Sequence, residues 1–113
     1  MKGFGKKNQS KKDITSKIKQ KVNIGQLINK AFELQAQGKK IEAAKYYAYL
    51  INQGIKDYRV FSNYGIFLYE IGKYKEAELE LKKAIILNPE YPNAYYNLAV
   101  LFIGKGNLKQ AEL

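Results

Sequence analysis

Apolar residues recur at helical spacing along most of the chain after residue 23. Leu27, Ala31 and Leu34 are spaced by four and then three positions, which places them on one face of an α-helix. The same spacing recurs twice further along, at Phe61, Gly65 and Leu68 and at Tyr95, Ala99 and Phe102. The pattern predicts amphipathic helices that each bury one face.

A shift of 34 residues aligns the chain with itself. Glycines coincide at Gly38, Gly72 and Gly106. Two further columns contain identical residues: Asn29, Asn63 and Asn97, and Ala43, Ala77 and Ala111. Because several independent positions agree at one shift, we interpret the chain as a tandem repeat.

Each repeat unit predicts a pair of helices joined by a short turn. A glycine can end the first helix in a left-handed conformation without a Cβ penalty. Asn88-Pro89 closes the second unit because proline cannot continue a helix. We expect an all-α chain of six helices, near 24–37, 41–53, 58–71, 74–87, 93–104 and 108–113.

The small residues in these columns predict close approach between paired helices. Ala31, Gly65 and Ala99 would let each first helix approach its partner, and larger neighbours would fill the remaining volume. Leucine in place of Gly65 or Ala77 should overpack the hairpin, at a cost of roughly 1–3 kcal/mol.

The second unit resembles the tetratricopeptide repeat (TPR) most closely, with consensus residues at Phe61, Tyr64, Gly65, Leu68, Gly72, Tyr74, Ala77, Leu81, Ala84 and Pro89. The first unit departs from the pattern at Lys30 and Ile55. The resemblance implies a right-handed α-α superhelix, or solenoid, of about two and a half helical hairpins. The expected repeats are 24–57, 58–91 and a truncated 92–113.

The chain contains no cysteine and no histidine. This composition excludes disulfides, thiolate zinc sites and a cysteine nucleophile, and it removes the usual general base near neutral pH. The carboxylates show no catalytic grouping. We therefore expect no enzymatic activity, no cofactor, no metal and no small-molecule substrate.

The net charge of +10 is concentrated at the N-terminus. Residues 1–22 contain eight lysines and one acidic residue, Asp13, so we expect a flexible basic tail preceding a domain at 23–113. No apolar run is long enough for a membrane span or a secretory signal, which makes the cytoplasm the expected location.

The resemblance also implies a function, because proteins of this family hold peptides or partner proteins in a concave groove. The three repeated asparagines are similar to the asparagine ladder in the repeats of O-linked sugar transferases, where amides bond an extended peptide backbone. The expected groove residues are Asn29, Asn63, Asn97, Ile28, Phe32, Arg59, Ile66, Tyr69, Tyr96 and Val100, and Ser62 is a further candidate. Arg59 could bind a carboxylate or simply solvate the start of its helix.

Two alternatives remain open beside the interaction scaffold. Bacterial relatives with such arrays often have a C-terminal transferase domain for sugars or sulfate, so this chain could be the substrate-docking fragment of such an enzyme. The lysine-rich tail could also bind anionic lipid or nucleic acid weakly. Because the third hairpin is incomplete, we expect a fragment or truncated copy that is marginally stable alone or dimerises through its uncapped end.

Overall fold

The computed structural model describes residues 23–112, which form five α-helices and no strand in that part of the chain. The helices are α1 (Ile24–Ala36), α2 (Lys40–Asn52), α3 (Tyr58–Glu70), α4 (Tyr74–Leu87) and α5 (Pro92–Glu112). The predicted all-α class is confirmed. The basic tail predicted at 1–22 lies outside the described residues.

The turns inside the first two hairpins are the glycine turns that the repeat predicts. Gly38 and Gly72 have φ of 81° and 84°, in the left-handed region that favours glycine. At each turn the next residue's N–H reaches back into the preceding helix: Lys39 donates to the Leu34 carbonyl at 2.9 Å and Lys73 to the Leu68 carbonyl at 2.8 Å. These bonds satisfy carbonyls that a helix end leaves unpaired.

The paired helices approach each other closely at the small residues. A Cβ atom added to Gly65 would lie 2.8 Å from Cγ of Leu81, so α3 and α4 leave no room for a side chain there. Ala31 in the first hairpin is likewise fully buried, together with Leu50 of α2. The prediction that small residues permit close packing is confirmed for Ala31 and Gly65, whereas Ala99 of the third unit is exposed.

Successive hairpins stack along one direction. Helix α2 packs on α3, α4 packs on α5, and α3 also contacts α5. Phe61, Ala84 and Ala94 form a buried cluster that joins the second hairpin to α5. This stacking is the helical-hairpin solenoid that the sequence predicts.

The third repeat differs from the prediction. Helices were expected at 93–104 and 108–113, but α5 continues through Gly106 to Glu112. Extending a helix adds one hydrogen bond per residue, whereas a new helix of a few residues must first pay for nucleation. The expected turn at Gly106 is therefore absent.

The buried face of α5 also differs from the prediction. Tyr95, Ala99 and Phe102 were expected to face inward, yet all three are exposed. Ala94 and Leu101 are fully buried instead, because α5 packs only on the preceding hairpin. None of the helices between residues 23 and 112 has the length and hydropathy needed to span a bilayer.

Candidate functional site

Two cavities flank α3 on the side that faces α1, α2 and α5. A cavity of about 80 Å³ is lined by Gln35, Lys40, Tyr47, Asn63, Ile66, Phe67 and Glu70. A second cavity, of about 190 Å³, is lined by Ile66, Tyr69, Glu70, Leu81, Tyr96, Asn97 and Val100. Ile66 and Glu70 line both, so the two cavities adjoin along α3, and we call them together the trough.

Six of the ten predicted groove residues line the trough: Asn63, Asn97, Ile66, Tyr69, Tyr96 and Val100. Residues on α3 reach it because Asn63, Ile66 and Glu70 are three and four positions apart and share one face of the helix. Asn97 and Val100 present the equivalent face of α5. The other four predicted residues line neither cavity.

Asn63 belongs to a hydrogen-bond network in the cavity next to the first hairpin. Its Nδ2 donates to the Tyr47 hydroxyl at 3.3 Å. The Tyr47 hydroxyl in turn donates a short hydrogen bond to Oε1 of Gln35. Burial raises the pKa of the Tyr47 hydroxyl above its ordinary value, and the bond from Asn63 opposes this only in part. The network therefore holds a neutral tyrosine and fixes the Asn63 amide.

Asn97 is fixed in a similar way. Its Nδ2 donates to Oγ of Ser62, which is completely buried, at 3.3 Å. Asn63 and Asn97 thus each reach back to the preceding repeat unit, or hairpin. With one N–H of each amide used in this way, the amide oxygen and the second N–H are the groups that the asparagines can offer a ligand.

Lys40 and Glu70 form an ion pair at the rim of the trough. The Lys40 Nζ lies 3.1 and 3.2 Å from the two Glu70 carboxylate oxygens. Both side chains are substantially exposed, so the pair is worth only ~0–1 kcal/mol. Its main consequence is that the rim presents both signs of charge.

Ile28 is a correction to the predicted groove. Its side chain is only 7% exposed and belongs to the core cluster of the first hairpin, so it has almost no surface for a ligand. Asn29 is exposed on α1 and lies outside both cavity linings.

Arg59 and Phe32 interact with each other at the boundary between the first two hairpins. The Arg59 guanidinium lies 5.1 Å from the centre of the Phe32 ring. It also bonds both carboxylate oxygens of Asp57, the N-cap of α3, at 3.1 and 2.7 Å. The hydrogen bond from Arg59 lowers the pKa of Asp57 below its ordinary value. Arg59 therefore holds a carboxylate of its own chain.

Sequence reasoning did not assign six lining residues of the trough to the groove: Gln35, Lys40, Tyr47, Phe67, Glu70 and Leu81. Ser62 was a groove candidate, but it is completely buried and lines neither cavity. Gln35 and Glu70 are polar residues near helix ends, where such residues are usual, so only their contacts distinguish them. Among residues 23–112 there is no group of three or more histidine, cysteine, aspartate or glutamate side chains arranged to hold a metal.

The comparisons with known proteins agree with this architecture. Residues 67–106 match the family model of the TPR repeat. The matched segment runs from the last turn of α3 through α4 and most of α5. The search of curated proteins found no match. Together with the 34-residue repeat and the stacked hairpins, the match supports a tetratricopeptide repeat at residues 67–106, and arrays of this repeat generally act as protein-interaction scaffolds.

Proposed function

We propose that the trough binds an extended, mainly apolar peptide segment of a partner protein. The observation that carries the proposal is that the two cavities of the trough adjoin along α3, one lined in part by the first hairpin and the other by α5. An extended peptide rises about 3.3 Å per residue, so a short segment can cross all three parts of this surface.

The apolar side chains of the trough and its two asparagine amides would contribute to binding in different ways. Ile66 and Val100 are half-buried and Tyr96 is 69% exposed, so the trough offers apolar surface that a ligand's side chains can cover. The amides of Asn63 and Asn97 offer donors and acceptors to the ligand's backbone, which every peptide has irrespective of its sequence. Affinity would come from apolar contact and orientation from the amides.

The Lys40–Glu70 ion pair at the rim of the trough favours a ligand without strong net charge. Lys40 and Glu70 neutralise each other at 3.1 Å, so the trough has no single sign that would attract a strongly acidic or strongly basic peptide. This differs from a clamp for a terminal carboxylate, which needs several unpaired cations.

A peptide-array experiment on the 113-residue chain tests the proposal. Arrays of extended apolar peptides should retain the chain, and Ile66→Glu should abolish retention because it places a charge in the shared part of the trough. Ile41→Glu is the matched control, since Ile41 is 67% exposed on α2 and lines neither cavity. Equal retention of both variants would contradict the proposal.

The asparagines receive a separate test. Changing Asn29, Asn63 and Asn97 together to alanine should weaken capture of the same peptides and leave helicity intact. Asn52→Ala, at the exposed end of α2, is the control. Unchanged capture would remove the amides from the binding surface while leaving the apolar part of the proposal standing.

The two alternatives place function elsewhere, in a further transferase domain or in the tail at 1–22. No feature of residues 23–112 favours either, whereas the trough favours a peptide ligand.

A further inference from the structure

A third cavity lies at the junction between the first two hairpins, apart from the trough. It has a volume of about 420 Å³ and is lined by the end of α2, the linker that follows it, α3 and the end of α4. We call it the junction cavity. Phe61 is the α3 residue that lines it, and it lies roughly 160° around the helix from Asn63 of the trough. The two sites therefore occupy different sides of α3 and share no lining residue.

Most of the lining of the junction cavity is apolar. Five of its side chains are hydrophobic: Ile51, Ile55, Phe61, Ile86 and Leu87. Ile86 is 78% exposed and Leu87 is 38% exposed, so a ligand can remove apolar surface from water there. The volume falls within the range of small-molecule sites, roughly 300–1,000 Å³.

The charged residues of the lining are both lysines, Lys56 and Lys83. Lys83 on α4 is held by two contacts, because its Nζ lies 3.2 Å from Oε1 of Glu80 and 5.6 Å from the centre of the Phe61 ring. Glu80 is buried and does not line the cavity. Lys83 thus presents an ammonium group at the apolar wall, and the carboxylate that pairs with it is buried.

Lys56 adds a positive charge that no described side chain neutralises. It is exposed in the linker between α2 and α3, and it forms no ion pair within the part of the chain that the structure describes. The adjacent Asp57 is already bound by Arg59, whose Nη2 lies 2.7 Å from Oδ2. With one of its two lysines paired, the junction cavity has one positive charge in excess.

The repeat itself does not require a lysine at this place. In the 34-residue register, Glu90 is the equivalent of Lys56, and Pro89 is the equivalent of Ile55. The next junction, between the second hairpin and α5, therefore has an acidic residue where the first has a basic one. The combination of cationic and apolar groups is particular to the first junction, which favours a role in binding over a role in packing.

We propose that the junction cavity binds a small aliphatic carboxylate, whose hydrocarbon chain lies against Ile55, Ile86 and Leu87 and whose carboxylate lies beside Lys56 and Lys83. The hydrocarbon chain matches the apolar lining, and the single negative charge matches the excess positive charge. An ammonium group has three N–H donors, so Lys83 can bond the ligand as well as Glu80. The proposal is independent of peptide binding in the trough.

Octanoate is the probe, and amide chemical shifts measured by nuclear magnetic resonance follow its binding to the 113-residue chain. Octanoate added to about 10 mM, which detects a Kd near 1 mM, should shift the amides of residues 54–56 and 86–87 along one saturable curve. Butanoate should bind at least about tenfold more weakly, because each missing methylene removes apolar contact. Octan-1-ol has the same chain without the charge and should also bind more weakly.

A pair of lysine variants tests the charge. Lys56→Gln should weaken octanoate binding by about two- to fivefold, as expected for an exposed ion pair. Lys75→Gln removes the same charge at an exposed position on α4 outside the lining, and it should leave binding unchanged. Lys83 is kept, because its removal would leave the buried Glu80 without its ion-pair partner.

A pair of apolar variants tests the wall. Ile86→Ala should weaken octanoate binding by about threefold or more, because it removes hydrocarbon that the ligand covers. Leu79→Ala is the control, since Leu79 is 55% exposed on the same helix and does not line the cavity. Circular dichroism establishes that all four variants keep the helicity of the wild type.

Four results would overturn the proposal. The amides of residues 54–56 and 86–87 would show no saturable shift, or octan-1-ol would bind as tightly as octanoate. Equal weakening by Lys56→Gln and Lys75→Gln would indicate general attraction of anions to a basic protein. Tighter binding of an acetylated isoleucyl-leucine dipeptide than of octanoate would assign the cavity to the C-terminus of a protein instead.

Discussion

The amide of Asn97 on α5 donates a hydrogen bond to the hydroxyl of Ser62 on α3, 3.3 Å away. Ser62 is completely buried, so this bond satisfies a polar group that water cannot reach. One side chain thus both presents an amide to the trough and ties α5 to the preceding hairpin. The two tasks can be separated experimentally.

A double-mutant cycle measures the structural task. Asn97→Ala should destabilise the chain by about 1–3 kcal/mol because it leaves the buried Ser62 hydroxyl without this partner. Ser62→Ala in the Asn97→Ala background should cost much less than it does alone, giving a coupling of about 0.5–1.5 kcal/mol. Urea unfolding provides the free energies, and strictly additive values would show that the bond contributes nothing.

Gly65 is predicted to tolerate no side chain. A Cβ there would lie 2.8 and 2.9 Å from Cγ and Cδ2 of Leu81, and 3.3 Å from the Ala77 carbonyl oxygen. Gly65→Ala should therefore destabilise by about 1–3 kcal/mol, although alanine is the better helix former. Thermal unfolding measures the effect.

Leu81 provides the control for that prediction. Leu81→Ala alone should cost about 2–5 kcal/mol as a buried truncation. Combined with Gly65→Ala, it should cost less than the sum, because the clash with the leucine is gone. A stabilised Gly65→Ala variant would contradict the close approach of α3 and α4.

The sequence predicted the parts of the fold that depend on local or periodic determinants. Gly38 and Gly72 end helices because of their own backbone freedom, and the helix ends next to them fell within one or two residues of prediction. Burial of Phe102 and Ala99 failed because it requires a second helix to fold back on α5, which is a tertiary condition. The continuation of α5 through Gly106 has the same cause, because no further helix within residues 23–112 packs on that face of α5.

The trough was predicted in part for a related reason. Asn63, Asn97 and Ile66 are visible as repeated or apolar positions on helical faces. Their hydrogen bonds to Ser62 and Tyr47, and that of Tyr47 to Gln35, could not be predicted, because contacts between hairpins depend on how far one hairpin is offset from the next. Ile28 was expected in the groove beside Asn29, but adjacent residues point about 100° apart around a helix, and Ile28 is directed into the core.

Tyr47 is predicted to support stability below its unfolded pKa and lose that contribution at high pH. Burial raises the pKa of its hydroxyl, so the folded state favours the neutral form more than the unfolded state does. The contribution of Tyr47 to stability should be fully present below about pH 10. It should decline as the pH rises through the pKa that the hydroxyl has in the folded state. Tyr47→Phe should cost about 1 kcal/mol near neutral pH.

The measurement compares unfolding free energies of wild type and Tyr47→Phe between neutral and alkaline pH. The wild type should lose stability more steeply above pH 10, so the two curves should converge there. Tyr49→Phe is the control, because Tyr49 is 45% exposed. Parallel curves for wild type and Tyr47→Phe would contradict a buried, un-ionised Tyr47.

The contribution of Asp57 to stability should depend on pH in the opposite sense to that of Tyr47. The hydrogen bond from Arg59 lowers its folded pKa, so the ionised form stabilises the folded state above the unfolded pKa of about 4. That contribution to stability should be lost as the pH falls through the pKa that Asp57 has in the folded state. Because Arg59 is 47% exposed, we expect at most about 1 kcal/mol.

Asp57→Asn isolates the charge from the helix cap. Asparagine caps an α-helix about as well as aspartate, so the bond to the Arg59 backbone N–H can persist while the ion pair with the guanidinium is lost. The difference in unfolding free energy between wild type and Asp57→Asn should shrink as the pH is lowered from 7 toward 3. Added salt should shrink it at pH 7 as well, since screening weakens an exposed pair. A difference that ignores both pH and salt would show that Asp57 acts only as the cap of α3.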